Sequence, residues 1–238
     1  MSVGGGTATG PDPAAVRSMF ASITPRYDLL NRVLSLRQDQ RWRRKALGGI
    51  NAIPAGAVVD VCSGTGDFQA LARRRWPDRL VVGTDFCEPM LRRAREAGRG
   101  RRGTHVCADA LRLPLRDGCA AAVLMAFGAR NLVDGRTGVL EAHRILAPGG
   151  AFVLLEFTND VSPWMRPFYA AYERCFLVPV GSLVSGTGAY GYLATSMRSV
   201  PRAAAWEAWM REAGFGEVGT DRYCGGVVTC LRGRKGAP

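Results

Sequence analysis

Apolar residues recur at i, i+3, i+4 and i+7 near the front of the chain, at Val16, Met19, Phe20 and Ile23, which predicts a helix from Pro13. Pro25 ends it, and Tyr27, Leu29, Leu30, Val33 and Leu34 set up a second helix, because proline cannot continue the first. A third, basic helix is expected over 39–48. From residue 57 the pattern changes to short apolar runs separated by helix-period segments. Strands are predicted near 57–61, 80–84, 104–108, 119–126 and 150–157, with helices at 67–75, 88–97 and 135–146. That alternation implies an α/β fold with a mostly parallel, doubly wound sheet and helices on both faces. Residues 161–198 interrupt it with a helical insertion carrying Met165, Phe168, Tyr169, Tyr172 and Phe176, before a helix at 202–213 and strands near 215–221 and 225–232. Residues 1–12 have no apolar period and are expected to be disordered,. Residues 13–238 are expected to form one domain, with 13–50 as an N-terminal helical cover.

The first strand runs into Asp60-Val61-Cys62-Ser63-Gly64-Thr65-Gly66-Asp67 and then a helix. Gly64 and Gly66 let backbone approach a ligand, and the N–H groups opening the next helix point into the same space. A dinucleotide fingerprint requires a third glycine where this chain has Gln69, and Asp67 would repel a pyrophosphate. S-adenosylmethionine carries no phosphate but has an ammonium and a sulfonium, so acids beside the loop suit it.

Ligands of such sheets sit beyond the carboxyl ends of the strands. The second strand ends at Asp85, at the distance from the glycine loop where a carboxylate can accept both ribose hydroxyls,. The third ends in Asp109-Ala110, where a carboxylate can take an adenine amine while a backbone N–H meets a ring nitrogen,. Helix capping and turn formation are the competing explanations for each acid alone. Three acids at three successive strand ends favour an adenosyl cofactor.

The formal net charge is +12, and only Lys45 and Lys235 are lysines. Arg41 to Lys45, Arg73 to Arg75 and the run from Arg99 to Arg102 form either solvated helical faces or a surface for anionic lipid or nucleic acid,. Seven cysteines without a C-x-x-C spacing are read as reduced, buried thiols rather than disulfides or zinc ligands,. No apolar run reaches membrane-spanning length and the start lacks a signal-peptide centre, so a cytoplasmic protein is expected,. His105 and His143 fall away from the loops and are read as structural.

Several stretches together resemble the demethylmenaquinone/ubiquinone C-methyltransferase family. They are Pro25-Arg26-Tyr27-Asp28-Leu29-Leu30-Asn31, the glycine loop, Asp109-Ala110, Ala126-Phe127-Gly128-Ala129-Arg130-Asn131, Leu146-Ala147-Pro148-Gly149-Gly150, Leu155-Glu156-Phe157 and Tyr190-Gly191-Tyr192-Leu193-Ala194-Thr195-Ser196. The resemblance spans about residues 16–235 and implies a seven-stranded Rossmann-like sheet with the last strand inserted antiparallel. It implies methyl transfer from S-adenosyl-L-methionine to a ring carbon of a polyprenylated quinol. By position, Gly64, Thr65, Gly66, Asp85, Asp109, Ala110 and Ala126 would hold the cofactor, Tyr27 and Asp28 would close over it, and the 161–198 insertion would cover the acceptor. Arg130 and Asn131 would be catalytic: arginine is too basic for an ordinary base, but its cation can stabilise a phenolate or orient a water. A capped turn before Asp134 is the alternative explanation of that pair.

Relatives often have Ser at 126 and His at 231, where this chain has Ala126 and Leu231. A methyltransferase for another small aromatic or natural product is therefore the runner-up. Strand four ends without the Asn/Asp-Pro-Pro-aromatic turn of nucleic-acid amine methyltransferases, so no nucleic-acid partner is expected,. A lipid-borne quinol implies peripheral contact with the anionic inner face of the cell membrane. Oligomeric state is left open between monomer and homodimer.

Overall fold

The computed structural model describes residues 11–99, 103–158, 160–177, 179 and 200–236. The Tyr190 to Ser196 run, most of the 161–198 insertion, and residues 1–10 and 100–102 lie outside them. Three helices lead: α1 (Pro13–Ile23), α2 (Tyr27–Leu34) and α3 (Gln38–Gly48). Asp12 opens α1 by accepting from the Ala14 N–H at 3.0 Å, with Pro13 at the first helical position, where its missing N–H costs nothing. Asp12 is thus a helix cap, although the sequence places it in the leading tail.

The alternating part follows as β1 (Ala57–Val61), α4 (Asp67–Arg75), β2 (Val81–Asp85), α5 (Glu88–Glu96), β3 (Gly103–Cys107), β4 (Ala120–Ala126), α6 (Gly135–Ile145) and β5 (Leu146–Phe157). A short α7 (Arg166–Tyr172), then α8 (Ala203–Glu212), β6 (Phe215–Tyr223) and β7 (Val228–Lys235) complete it. The seven strands are ordered β3-β2-β1-β4-β5-β7-β6. β1 to β5 are parallel, and β7 inserts antiparallel between β5 and β6.

Two boundaries differ from expectation for a backbone reason. β5 begins at Leu146, because Ala120 pairs with Leu146 and Ala122 with Ala151, leaving the Pro-Gly-Gly turn as a bulge inside the strand,. β7 begins at Val228, because Gly225 and Gly226, at φ 64° and 91°, make the turn that precedes it.

All seven positions of β4 are buried, as a central parallel strand covered on both faces requires. Successive residues alternate between two cores. Val59, Val61, Val123, Met125, Phe152 and Leu154 meet Ile145, Trp206 and Met210 on one face. Val58, Ala122, Leu124, Val153 and Leu155 meet Trp42, Phe68 and Cys230 on the other. From β1 the chain winds outward through β2 and β3, and from β4 it winds the opposite way. The crevice beyond β1 and β4 is therefore the place for a ligand.

Candidate active site

Cys62, directly after β1, has φ 55°, and Phe127, directly after β4, has φ 60°. Each left-handed non-glycine residue costs about 1–3 kcal/mol, a strain that clusters at functional sites. The two turns touch: a Cβ on Gly128 would lie 2.3 Å from the Cβ of Cys62. Only glycine at 128 lets the loops close this near while both swing away from the strand ends.

The space they leave is a cavity of about 300 Å³. Asp60, Ser63, Gly64, Asp85, Asp109, Ala110 and Ala126 all line it, so most of the predicted cofactor residues converge. The Ser63 N–H donates to the Thr84 carbonyl at 2.9 Å, tying the glycine loop to β2. Asp85 is held from both sides, one oxygen accepting from the Gly64 N–H at 2.8 Å and the other from the Cys87 N–H at 2.9 Å. Burial pushes its carboxyl up to about 6, against those N–H groups. Asp109 accepts from the Leu111 N–H at 2.9 Å, a local turn that presents its carboxylate at the rim,.

Asp60 is 1% exposed, and its Oδ2 has no hydrogen-bond partner among the described residues. Burial pushes its carboxyl up to about 7, with the Arg43 charge and the Gln69 N–H pulling the other way. The fit to S-adenosylmethionine is direct. An unpartnered buried acid suits the ammonium, and two outer acids suit the ribose and the adenine.

A second cavity of about 360 Å³ lies against the first and is lined mainly by Met19, Ile23, Trp42, Phe157, Phe168, Tyr169 and Tyr172. Phe20, Tyr27, Arg43, Phe127 and Asn131 line both cavities and so form the septum between them. At its inner end Arg130 follows β4 in a single helical turn, Ala129–Asn131. Its Nη1 donates to Glu156 Oε1 at 2.7 Å and to the Phe127 carbonyl at 2.6 Å. Its backbone N–H donates to Glu156 Oε2 at 3.2 Å. The pair is desolvated, with side chains 7% and 0% exposed, and the guanidinium lies 5.4 Å from the Phe157 ring centre. Its Nε has no hydrogen-bond partner among the described residues.

Solved structures share this architecture. The [4+2]-cyclase SpnF superposes with a TM-score of 0.68 at 17% identity, covering 99% of this chain and 100% of that one. A SAM-dependent methyltransferase from Aquifex aeolicus gives 0.63 at 15% identity, covering 90% and 97%. These show the fold alone, since one fold hosts many reactions. The demethylmenaquinone methyltransferase of Deinococcus radiodurans is 44% identical over 205 residues, 84% of this chain and 85% of that protein. The ubiquinone/menaquinone biosynthesis C-methyltransferase UbiE of Geobacter sulfurreducens is 38% identical over 226 residues, 93% and 88%. Residues 9–235 match the ubiE/COQ5 methyltransferase family. The chain belongs to that family.

In this ubiE/COQ5 methyltransferase, some expected contacts are placed elsewhere. Thr65 and Gly66 do not line the nucleoside-sized cavity: the Thr65 hydroxyl donates to Asp28 at 2.6 Å, and Gly66, at φ 83°, opens α4. Asp67 does not face it either. Burial alone would raise its carboxyl, but Arg32 at 2.8 Å, Arg43 and Arg99 at 3.1 Å outweigh that and lower it. Asp28 joins this network through Arg99 at 2.8 Å, so it locks the N-terminal helices rather than closing over a ligand. The buried acid that lines this cavity is Asp60, the penultimate residue of β1 and four positions before Gly64.

The thiols divide: Cys87 and Cys230 are buried, but Cys107, Cys175 and Cys224 are exposed, contrary to expectation, and all seven are free. His143 packs edge-on against Phe215 and His105 lies on β3, and neither lines either of these two cavities. Leu231 is fully buried in β7 opposite Leu154, and Ala126 faces the first cavity, so neither alters the second. Arg41 to Lys45 is not one solvated face, because Trp42 and Arg43 are buried.

Two residues with evident roles were missed. Glu156 is a lone carboxylate ending an apolar run beside the strand that delivers Arg130. Arg43 belongs to a buried stripe of Asp39, Trp42, Arg43, Ala46 and Leu47, whose i, i+3, i+4 spacing was present in the sequence.

Asp60 also sets a pH dependence. Its raised carboxyl gives stability that is present below about 4 and lost as pH rises through about 7,. A bound ammonium favours the ionised form, so binding S-adenosylhomocysteine near pH 6 is expected to release protons, and affinity should rise toward pH 7 and then level. Calorimetry in buffers of different ionisation enthalpy measures this, and Asp60→Asn should release fewer. Equal release by wild type and variant would remove Asp60 from the ammonium site.

Proposed function

We propose that this chain methylates a ring carbon of a reduced, polyprenylated quinol, with demethylmenaquinol as acceptor and menaquinol as product. The equivalent step of ubiquinone biosynthesis is the second reading, supported by the double name of the Geobacter relative. The observation that carries the proposal is the pair of cavities sharing one septum, acidic on the nucleoside side and apolar on the other. S-adenosylmethionine supplies, when bound, a methyl already activated on a sulfonium.

What remains for the protein is alignment, exclusion of water and help with a phenol proton. Phe127 and Tyr27 close the septum with apolar surface, and burial holds the Tyr27 phenol above its ordinary range. Arg130 offers a fixed cation beside a ring oxygen, and Asn131, which lines both cavities, can hold that oxygen or a water,. Loss of the phenol proton raises electron density at the neighbouring ring carbon, which takes the methyl. That carbon then gives up its own hydrogen as a proton to restore the aromatic ring. Glu156 holds the guanidinium in place.

Labelled S-adenosylmethionine with a reduced demethylmenaquinone analogue, the matching benzoquinol, the oxidised quinones and an RNA pool tests this. Methyl transfer is expected to one reduced ring only. Cofactor binding without transfer to either quinol would move the acceptor to another small aromatic.

We further propose that the protein meets its lipid substrate at an anionic bilayer. Arg37, Arg41, Arg44 and Arg74 border a surface groove, and Leu36, 63% exposed, belongs both to that groove and to the apolar cavity. Phe168, 67% exposed, also lines the cavity, and Trp164 is 64% exposed. Each such cation contributes about 1 kcal/mol at an anionic surface. Flotation with anionic vesicles is expected at low salt and reduced by Arg41→Glu with Arg44→Glu. Absence of flotation at low salt would discard the contact.

A further inference from the structure

Arg43 is 6% exposed, although arginine is rarely buried without a partner. Its Nε is buried without a hydrogen-bond partner among the described residues. Rings flank it, the guanidinium carbon lying 5.0 Å from the centre of Phe127 and 5.7 Å from that of Phe68, and its charge also acts on Asp60 and Asp67. Such rings favour a cation by a modest amount, but they do not saturate the hydrogen-bonding fork of a guanidinium. The other arginines at the site are engaged, Arg130 by Glu156 and Arg32 and Arg99 by Asp67. A desolvated cation left in this state is costly unless a ligand completes it.

Its position says which ligand. Arg43 lines both cavities, and in the first its charge acts on Asp60. Asp85 and Asp109, which suit a nucleoside, line the same cavity. The only other cation lining this cavity among the described residues is Arg17, an exposed side chain stacked 5.4 Å from the Phe86 ring, next to Asp85. A methyl leaving the first cavity for the second must cross the septum, so the sulfonium and the amino-acid end of the donor lie there. That end is a zwitterion, with Asp60 available for its ammonium.

We infer that Arg43 receives the carboxylate of the donor's amino-acid portion, making the septum a zwitterion clamp of Asp60 and Arg43. This rests on the first cavity being the S-adenosylmethionine site. A guanidinium fork matches a carboxylate with two parallel hydrogen bonds, which a lysine cannot reproduce. The inference also explains why a helix otherwise basic on its outer face turns one arginine inward.

The test is calorimetric and needs no turnover. S-adenosylhomocysteine and its decarboxylated analogue, which keeps the ammonium and lacks only the carboxylate, are titrated into wild type, Arg43→Lys and Arg43→Met. Wild type is expected to bind the carboxylate form about 10–100-fold more tightly. Arg43→Met should lose that preference by weakening the carboxylate form alone, and Arg43→Lys should keep part of it. Thermal unfolding of each variant confirms that it is folded. Equal weakening of both ligands, or an unchanged preference in Arg43→Met or Arg43→Lys, overturns the inference while leaving the cofactor site in place. If wild type binds neither ligand, the cofactor assignment fails and this inference with it.

Discussion

Replacing Arg130 by Met is expected to lower kcat for methyl transfer about 10²–10³-fold, the effect of removing one preorganised donor from developing negative charge. Affinity for S-adenosylhomocysteine should barely change, because Arg130 lines the apolar cavity and not the nucleoside cavity. The substitution also strips Glu156 of its partner, so a loss of activity alone is ambiguous. A companion variant, Arg130→Met with Glu156→Gln, removes both charges and should recover much of the lost stability. Turnover is expected to stay low in that double variant. If turnover returned with stability, Arg130 would be a structural residue and the phenolate would find its cation elsewhere.

Glu156→Ala is expected to cost about 3–5 kcal/mol of stability, because it leaves a buried guanidinium uncompensated,. The carboxylate does more than pair a charge. It accepts from the Arg130 side chain, the Arg130 backbone and the Phe157 N–H, and it is completely inaccessible. In a chain of this length the melting temperature should fall by roughly 10 °C. Glu156→Gln, which still accepts from the backbone N–H groups, should lose visibly less. A loss under about 1 kcal/mol in Glu156→Ala would mean that water enters and solvates the arginine.

The parts legible in the sequence were those where local pattern and function coincide. Asp85 and Asp109 each follow an apolar run and precede a turn, so strand, loop and chemistry share one signature. The order of the sheet followed from alternation together with family resemblance, including the inserted β7. Asp67 misled because adjacency to a glycine loop does not say which way a helix is turned. Arg32 and Arg99 hold it away from the cavity, still buried, and both are remote in sequence. Arg43 was hidden inside a run of like charge, where only its place on the buried stripe of α3 separates it from Arg41 and Arg44. Glu156 could be noticed but not interpreted, since its partner arrives from the neighbouring strand. The strained turns at Cys62 and Phe127 have no sequence signal beyond the glycine at 128 that lets them meet.

The cross-linked charges of Asp28, Arg32, Asp39, Asp67 and Arg99 join α2 and α3 to the start of α4 and the segment after α5. The sheet leans on the N-terminal helices as well, since Trp42, Ala46 and Leu47 of α3 pack into the core on one of its faces. The scaffold and the septum between the cavities therefore draw on the same helices. A protein shortened to begin at β1 would lose that part of its core together with Phe20, Tyr27 and Arg43, which stand between the two cavities. Without them the two pockets merge into one open trench, and water reaches the reacting centre.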